Sequence, residues 1–362
     1  MQLSSNRKLA LLMHDAVLGT SGKMGFGLLR YSDAQVTCVI DQVTAGQDLA
    51  ALTGICRPTP VPIVATITEA LALGADTLVP AIAPAGGILP GDWRQEVIQG
   101  LRGGMSLVNG LHERMTEATD FREALTPDAF IWDVRQEPPE LPNGLGRAQE
   151  LSARRVLTVG TDMAIGKMTT SLELHRAAQR KNIPSAFVAT GQIGICISGA
   201  GIALDAVRVD FASGGVEWAV LEAAKSLPPA PRPAGEILWV EGQGSLLHPA
   251  STAWLPLIRG SMPTQLILCH RAGQESVMRA AWVKIPPLRA VAALYEAVCA
   301  GAGALPGARV VGIALNCAHL TDDQARAACA QTEAQTGLPT QDVVRFGGDK
   351  LLEAVLCDKM PS

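Results

Sequence analysis

The segment VLTVGTDMAIGKMTTSLELH, residues 156–175, constrains the fold of this chain more than any other segment. An apolar, strand-like run is followed by a glycine-rich turn and then by a helical pattern that begins at Lys167. In a phosphate-binding loop of this kind, successive backbone N–H groups, the positive end of the helix and the lysine surround an anion. The spacing between Gly160 and Gly166 is one residue longer than in the commonest form of the loop. The segment therefore predicts an α/β domain that binds a phosphorylated ligand.

Met168 occupies the position at which such loops normally offer a hydroxyl group to magnesium. A thioether is a poor ligand for so hard a cation, and one helical step turns the next side chain by about 100°. Two interpretations remain open: magnesium is held differently, or the ligand is a phosphorylated compound such as coenzyme A that needs no metal. The residues of the loop predicted to bind the ligand are Gly160, Thr161, Asp162, Ala164, Gly166, Lys167, Met168, Thr169 and Thr170.

Short apolar runs alternate with helical patterns along both halves of the chain, which predicts parallel sheets covered by helices on both faces. In the first half the predicted strands cover residues 9–13, 36–40, 63–65, 77–80, 106–108 and 130–134, with helices near residues 25–31, 68–73 and 92–101. In the second half the predicted strands cover residues 155–159, 185–189, 237–240, 265–269 and 310–315, with helices near residues 167–180, 216–225, 288–300 and 322–336.

A chain of 362 residues is too long for one ordinary core and fits two domains. Residues 136–150, QEPPELPNGLGRAQE, break both periodicities with three prolines and two glycines. We therefore predict an N-terminal domain over residues 1–135, a linker over residues 136–153 and a C-terminal P-loop domain over residues 154–362. Homo-oligomers are the common outcome for enzymes of this kind, and we expect one here.

Composition excludes several classes of function. The formal charge of −4 provides no basic surface for nucleic acid, and no apolar run approaches the roughly 20 residues that a membrane helix requires. The eight cysteines are scattered singly, without the paired spacing of metal or disulfide frameworks. We therefore expect reduced thiols, a cytoplasmic location and a small-molecule ligand.

Polar side chains follow several predicted strands of the second half, where ligands of parallel sheets bind. Glu241 ends one strand, as the acidic residue facing the phosphate site does in P-loop proteins. His248, on the same connection, is a candidate base for a reacting amine, and Arg271 is a candidate clamp for a substrate carboxylate. Gln192 and Asn316 are further candidate ligand-binding residues. Asp205 is a candidate metal ligand, or alternatively a helix cap.

The first half offers a second set of candidates. A glycine-rich turn at residues 19–27 and Asp41 after the next strand loosely match a dinucleotide fold, but the G-x-G-x-x-G order is absent. The loops at residues 80–94 and 108–115 follow predicted strands, so we expect them to line the cleft of this domain. His112 and Glu113 lie on the second of these loops and are candidate functional residues.

Two resemblances follow from these motifs. GTDMAIGK and VEGQGS are similar to the loop and acidic strand end of dethiobiotin synthetases, although Met168 replaces their magnesium-ligating threonine. Nearly the whole chain resembles the family of the D-glutamate N-acetyltransferases, through GLLRYS, AIAPAGG, LVNGLHE, IWDVR, GTDMAIGKMTT, TGQIG, LDAVRVDF, VEGQGSLLHP and GIALN. This second resemblance implies a Rossmann-like N-terminal domain, a P-loop C-terminal domain and acetyl transfer from acetyl-CoA to the amine of an acidic amino acid. In that family G-K-M-T-T is the ordinary form of the loop.

Three functional hypotheses follow. The first is an acetyl-CoA-dependent N-acetyltransferase acting on D-glutamate or a related amino acid, with coenzyme phosphates on the loop, Glu241 or His248 as the base and Arg271 on a substrate carboxylate. The second is an ATP-dependent ligase or kinase of the dethiobiotin-synthetase type, with magnesium held by Thr169 or Thr170, Glu241 and Asp205. The third is a nucleotide-responsive regulator without chemistry of its own.

Overall fold

Two separate cores organise the chain in the computed structural model, which describes residues 3, 6–19, 21–228 and 235–358. Unit 1 comprises residues 1–136 and 192–206, and unit 2 comprises residues 137–191 and 207–362. A stretch of 15 residues, 192–206, therefore leaves the second half of the chain and packs with the first. Each unit has its own cluster of buried apolar side chains.

The strands and helices follow in chain order. The strands are β1 Lys8–Leu12, β2 Gln35–Ile40, β3 Ile63–Val64, β4 Thr77–Pro80, β5 Ser106–Asn109, β6 Ile131–Asp133, β7 Arg154–Gly160, β8 Ser185–Val188, β9 Ile237–Val240, β10 Gln265–Arg271, β11 Ser276–Val277, β12 Ala280–Lys284, β13 Arg309–Asn316 and β14 Thr340–Gln341. The helices are α1 Lys23–Tyr31, α2 Leu49–Thr53, α3 Ile67–Ala72, α4 Gly91–Arg102, α5 Thr119–Ala124, α6 Lys167–Arg180, α7 Gln192–Ser198, α8 Val209–Ala224, α9 Trp254–Ser261, α10 Leu288–Ala300, α11 Asp322–Thr336, α12 Val343–Phe346 and α13 Asp349–Cys357.

Unit 1 is built on a six-stranded parallel sheet in the order β3-β2-β1-β4-β5-β6. The inner strands β1, β4 and β5 are buried almost throughout, which is why their sequences are continuous apolar runs rather than alternating ones. This strand order is that of a Rossmann fold, in which ligands bind beyond the carboxyl ends of the strands. All six strands predicted for the first half are present.

Unit 2 is built on a second six-stranded parallel sheet, in the order β14-β13-β10-β7-β9-β8. The phosphate-loop strand β7 lies between β9 and β10, where successive connections leave in opposite directions. Such a switch point opens a crevice at the carboxyl ends of the two neighbouring strands. The predicted fold class, two parallel-sheet α/β domains, is therefore confirmed.

The segment predicted as a linker contains no helix or strand apart from the 3-10 turn Arg147–Glu150. The fully buried carboxylate of Glu217, on α8, accepts hydrogen bonds from the backbone N–H groups of Leu145 at 3.0 Å and Arg147 at 2.9 Å. It also accepts from Arg147 Nε at 2.8 Å. Residues 137–153 thus belong to unit 2 and are held against its helix α8.

No helix in the described part of the chain is long and apolar enough to span a membrane.

All eight cysteines are free, and six of them are buried. Burial raises the pKa of the Cys196 thiol to about 12 and that of the Cys269 thiol to about 11, because the thiolate loses its hydration. These two thiols are therefore unreactive near neutral pH.

Candidate functional site

The phosphate loop connects the buried strand β7 to helix α6. The strand ends at Gly160, and the helix begins at Lys167, as the sequence predicts. Two residues of the turn have positive φ: Ala164, at 53°, and Gly166, at 111°. A non-glycine residue with positive φ costs about 1–3 kcal/mol, and such strain clusters at ligand-binding loops. The strain at Ala164 therefore makes this turn a candidate ligand-binding loop.

Backbone N–H donors and the ammonium group of Lys167 lie together at this turn. The backbone N–H groups of Ala164, Ile165 and Gly166 donate to no acceptor within the described part of the chain. The N-terminus of α6 adds its partial positive charge. The buried side chain of Lys167 folds back over the loop, and its Nζ donates a 2.8 Å hydrogen bond to the carbonyl oxygen of Asp162. The loop therefore has the donors and the charge that a phosphate group requires.

Buried hydrogen bonds fix the base of the loop. Thr158 Oγ1 lies 3.0 Å from Ser171 Oγ and accepts from the backbone N–H of Gly242 at 2.9 Å, which joins β7, α6 and the end of β9. The hydroxyl of Tyr295 donates to the carbonyl oxygen of Gly160 at 2.8 Å. Thr161 Oγ1 lies 2.9 Å from Nδ1 of His270, at the end of β10. The loop is thus held from three neighbouring elements.

His270 makes this support sensitive to acid. Desolvation by burial lowers the pKa of its imidazole from the usual 6.5 to about 4. Between these two values the unfolded chain binds more protons than the folded one, so stability falls as the pH falls from about 6.5 towards 4. Through His270 alone, we expect the free energy of unfolding to be about 2 kcal/mol lower at pH 5 than at pH 7.

Urea unfolding of the wild type and of His270→Asn at pH 7 and pH 5 measures this effect. The asparagine amide can retain a hydrogen bond to Thr161 without taking up a proton. We expect the variant to lose less stability between the two pH values than the wild type does. An equal loss in both proteins would show that His270 is not buried in its neutral form.

A cavity of about 610 Å³ lies at the carboxyl ends of β7, β10 and β13, entirely within unit 2. Residues from the phosphate loop and from the segments that follow β10 and β13 line it: Asp162, Met163, Ile165, Arg271, Ala272, Gly273, Gln274, Met278, Asn316, Ala318 and His319. Its volume falls within the range of cavities that hold drug-sized ligands. The loop is therefore one wall of a cavity that the neighbouring strand ends complete.

The buried carboxylate of Asp162 links the loop to the segment that follows β10. Its Oδ2 accepts from Nε2 of Gln274 at 2.6 Å and from the backbone N–H of Met278 at 2.7 Å. Its Oδ1 accepts from the backbone N–H of Met163 at 2.7 Å. The Oε1 atom of Gln274 is buried and has no hydrogen-bond partner among the described residues. An orphaned acceptor of this kind marks a position for a donor from outside the protein.

Arg271 and His319 are the cavity residues with uncommitted side chains. Neither side chain forms a hydrogen bond or ion pair with the residues that the structure describes. Arg271 was predicted as a clamp for a carboxylate, and the structure places it on the same cavity as the phosphate loop. His319 was not predicted, although it follows the end of β13, and the strand-end rule that selected Asn316 applies to it equally.

The other predicted catalytic side chains are committed to the protein. Glu241 Oε2 accepts from the backbone N–H groups of Thr190 at 2.9 Å and Gly191 at 3.2 Å. His248 Nδ1 accepts from the backbone N–H of Ala250 at 3.1 Å, and Nε2 lies 3.1 Å from the carbonyl oxygen of Met278. Both ring nitrogens of His248 are therefore engaged by backbone groups of the protein.

The other residues predicted to bind a ligand or a metal lie at three places in the structure. Asn316 Nδ2 donates to the carbonyl oxygen of Ile165 at 3.1 Å, so it braces the loop from β13. The side chain of Met168 is buried, while Thr169 is half-buried. Gln192 and Asp205 belong to unit 1, where Gln192 opens α7 and Asp205 forms an ion pair with Arg135.

The metal-binding set of the ATP hypothesis, Thr169, Glu241 and Asp205, is divided between the two units. Among the described residues no group of three or more His, Cys, Asp or Glu side chains is arranged to hold a metal ion. In this structure the carboxylate of Glu241 is occupied by backbone N–H groups and by Gln243 Nε2 at 3.2 Å.

Strand order and site together define a class of protein: a Rossmann-like domain and a P-loop domain in a single chain. Two family profiles match in this arrangement: a domain of unknown function described as the DUF1611_N Rossmann-like domain, at residues 42–137, and one described as the DUF1611_C P-loop domain, at residues 143–352. The chain therefore belongs to the DUF1611 family.

Individual relatives agree with this assignment. A D-glutamate N-acetyltransferase of Pseudoalteromonas sp. is 36% identical over 299 residues, which cover 81% of this chain and 84% of that protein. A D-glutamate N-acetyltransferase of Tritonibacter scottomollicae is 33% identical over 294 residues, or 80% and 84% of the two chains. The crystal structure of a DUF1611 family protein from Anabaena variabilis is 53% identical, with a TM-score of 0.92 over 98% of this chain and 100% of that one. The expected resemblance is confirmed, and the relatives support a transferase.

Proposed function

We propose that this protein transfers the acetyl group of acetyl-CoA to the amino group of D-glutamate or a related acidic amino acid. The observation that carries the proposal is the cavity of unit 2, which joins a phosphate loop without the usual magnesium-binding hydroxyl to the uncommitted guanidinium of Arg271. The two relatives named D-glutamate N-acetyltransferase support the reaction class and the substrate class.

The charges of the cavity suit a ligand that carries several phosphates. Coenzyme A has a pyrophosphate and a 3′-phosphate, and both need donors and positive charge. The loop lines one wall through Asp162, Met163 and Ile165, and the same loop carries the N–H groups, the start of α6 and Lys167. Arg271 adds a planar donor that can bind a phosphate through two hydrogen bonds. Because Arg271 lies on this cavity, we assign it to an anionic group of the coenzyme rather than to the substrate carboxylate.

The orphaned acceptor of the cavity also fits this ligand. Gln274 Nε2 is committed to Asp162, which leaves Oε1 buried and directed away from that carboxylate. A buried carbonyl without a donor costs about 1–3 kcal/mol. The pantetheine arm of coenzyme A carries amide N–H groups, and one of them would satisfy this atom on binding.

The residues around Met168 favour a ligand that needs no metal. Its thioether is a soft ligand, whereas magnesium prefers hard oxygen ligands. The carboxylate of Glu241 already accepts hydrogen bonds from the backbone N–H groups of Thr190 and Gly191, which serve it within the protein without a cation. Acetyl transfer makes no demand for a metal, because it needs phosphate binding, a base for the ammonium and donors for the developing oxyanion.

His319 is the imidazole that can serve as the base in the proposed reaction. It lines the cavity, is exposed and makes no hydrogen bond with the described residues, in contrast to His248. Imidazole is the side chain that enzymes use most often to accept a proton from a reacting group. We expect His319→Gln to lower kcat while the affinity for acetyl-CoA is retained. An unchanged kcat would remove His319 from the reaction.

The proposal is tested by incubating the purified protein with acetyl-CoA and D-glutamate in EDTA and measuring N-acetylglutamate by mass spectrometry and free thiol by absorbance. Equal amounts of the two products are expected. Parallel reactions contain magnesium and ATP in place of acetyl-CoA. Magnesium-dependent release of ADP, with no acetylated product in the first reaction, would instead support the ligase or kinase hypothesis.

A further inference from the structure

Unit 1 contains a second cavity, of about 270 Å³, to which the proposed function assigns no ligand. It lies at the carboxyl ends of β4, β5 and β6 and is lined by the loops that follow them: Ile82, Ala83, Pro84, Gly86, Gly87, Gly110, Leu111, His112 and Arg135. This edge is where Rossmann-type sheets bind ligands. The volume is below the range of about 300–1,000 Å³ for drug-sized molecules, so the cavity suits a ligand smaller than a dinucleotide or a coenzyme.

Arg135 is the charged group of this cavity, and its side chain is only 12% exposed. Its Nε donates to the carbonyl oxygen of Gly110 at 2.7 Å, and its Nη1 lies 2.7 Å from His112 Nε2 and pairs with the carboxylate of Asp205. Its Nη2 forms no hydrogen bond with the described residues. The guanidinium is therefore held rigidly by one edge, while two N–H groups remain for a ligand.

Asp205 sets the charge of the site. Its Oδ2 pairs with Arg135, whereas its Oδ1 has no hydrogen-bond partner among the described residues, and the side chain is 46% exposed. The pair is neutral overall, so it offers a multiply charged phosphate little attraction. An amino acid carries a carboxylate and an ammonium group side by side, which matches a guanidinium beside a carboxylate.

The turn at Gly87 packs closely against His112, the neighbour of Arg135 in this cavity. Gly87 has φ 66°, and its carbonyl oxygen accepts a 2.8 Å hydrogen bond from the backbone N–H of His112. A Cβ atom at Gly87 would overlap His112 Cδ2 and lie 3.0 Å from Cγ, so this close approach requires glycine. Since His112 in turn contacts Arg135, the turn at Gly87 fixes the orientation of the guanidinium.

We propose that this cavity of unit 1 binds the α-carboxylate and ammonium groups of a free amino acid, through Nη2 of Arg135 and Oδ1 of Asp205. Gln192 packs next to this cavity, since its Cγ would lie 3.3 Å from a Cβ atom at the lining residue Gly110. The binding site follows from the geometry of unit 1 alone, whereas the choice of D-glutamate as the probe rests on the proposed function.

Calorimetric titration with D-glutamate, in the presence and absence of free coenzyme A, tests this assignment. We expect saturable binding by the wild type and an affinity at least tenfold lower for Arg135→Gln, because charge-assisted hydrogen bonds to a carboxylate are lost. The control is Arg102→Gln, which removes an exposed arginine of α4 in the same unit and should bind as the wild type does. Equal affinities of Arg135→Gln and Arg102→Gln would overturn the proposal.

Asp205→Asn provides a second measurement that keeps the guanidinium. Glutarate resembles D-glutamate but lacks the ammonium group. We expect the wild type to prefer D-glutamate to glutarate and the variant to lose this preference. This comparison decides the question if Arg135→Gln does not fold, and a preference that survives in Asp205→Asn contradicts the assignment of the ammonium group.

The outcomes also separate this proposal from the proposed function. Wild-type acetyl transfer to D-glutamate without any effect of Arg135→Gln would leave the transferase standing and remove the amino-acid site from unit 1. Arg135-dependent binding of D-glutamate without acetyl transfer would leave the site standing and remove the proposed reaction.

Discussion

Replacing Lys167 by alanine should weaken acetyl-CoA binding by about 10–100-fold. The side chain is buried, its Nζ lies over the loop at 2.8 Å from the carbonyl oxygen of Asp162, and a Cβ atom at Gly160 would lie 3.3 Å from it. A charge-assisted hydrogen bond contributes about 1.5–3 kcal/mol, and 1.4 kcal/mol corresponds to a tenfold change in affinity. The dissociation constant from calorimetry and the KM for acetyl-CoA should both rise.

The control for Lys167→Ala is Lys225→Ala, which removes an exposed lysine that pairs with Glu222 at the end of α8. Both variants remove one positive charge from unit 2, so a general electrostatic effect would appear in both. We expect Lys225→Ala to bind acetyl-CoA as the wild type does. Unchanged binding by Lys167→Ala would show that the loop does not hold the coenzyme.

Replacing Gly242 by alanine should unfold or severely destabilise unit 2. A Cβ atom there would overlap the carbonyl oxygen of Thr158, at 2.8 Å from its carbonyl carbon and 3.1 Å from Cδ of Lys167. The overlap would be relieved only if Gly242 moved away from Thr158 of β7, and that movement would break the hydrogen bond from Gly242 N–H to Thr158 Oγ1. We expect a loss of about 3 kcal/mol, which lowers the melting temperature by about 6–12 °C.

Differential scanning calorimetry measures this loss, and Gly91→Ala is the matched control. Gly91 opens helix α4 in unit 1, and a Cβ atom there would meet no atom within 4 Å. The control should melt within about 2 °C of the wild type, because nothing in the folded protein must move. A Gly242→Ala variant that melts with the control would mean that the end of β9 and the loop are not packed as described.

The sequence was sufficient for the features that depend on local pattern. Parallel strands such as β4 and β5 are buried on both faces, so each is a continuous apolar run that can be read without knowledge of its neighbours. The phosphate loop combines strand, glycines and lysine within one short segment. Rules about the ends of strands selected Arg271 and Asn316, and the first of these lies on the cavity with an uncommitted side chain.

Features that depend on distant contacts could not be predicted in the same way. Helix α7 follows β8 of unit 2 in sequence but packs in unit 1, and its local pattern carries no information about which core it joins. The hydrogen bonds that occupy His248 depend on Met278, 30 residues away. The hydrogen bond between two residues of the cavity lining, from Gln274 to Asp162, spans 112 residues. Candidate side chains can thus be selected by type and position, whereas their availability depends on tertiary contacts.

The central claim is that the phosphate loop binds acetyl-CoA without a metal ion. Calorimetric titration of the wild-type protein with acetyl-CoA and with ATP, each in magnesium and in EDTA, tests it most directly. We expect acetyl-CoA to bind with the same affinity in both buffers and ATP to bind weakly in both, because Met168 offers no hydroxyl to magnesium. Tight binding of ATP that is lost in EDTA would contradict the claim and assign the loop to phosphoryl transfer.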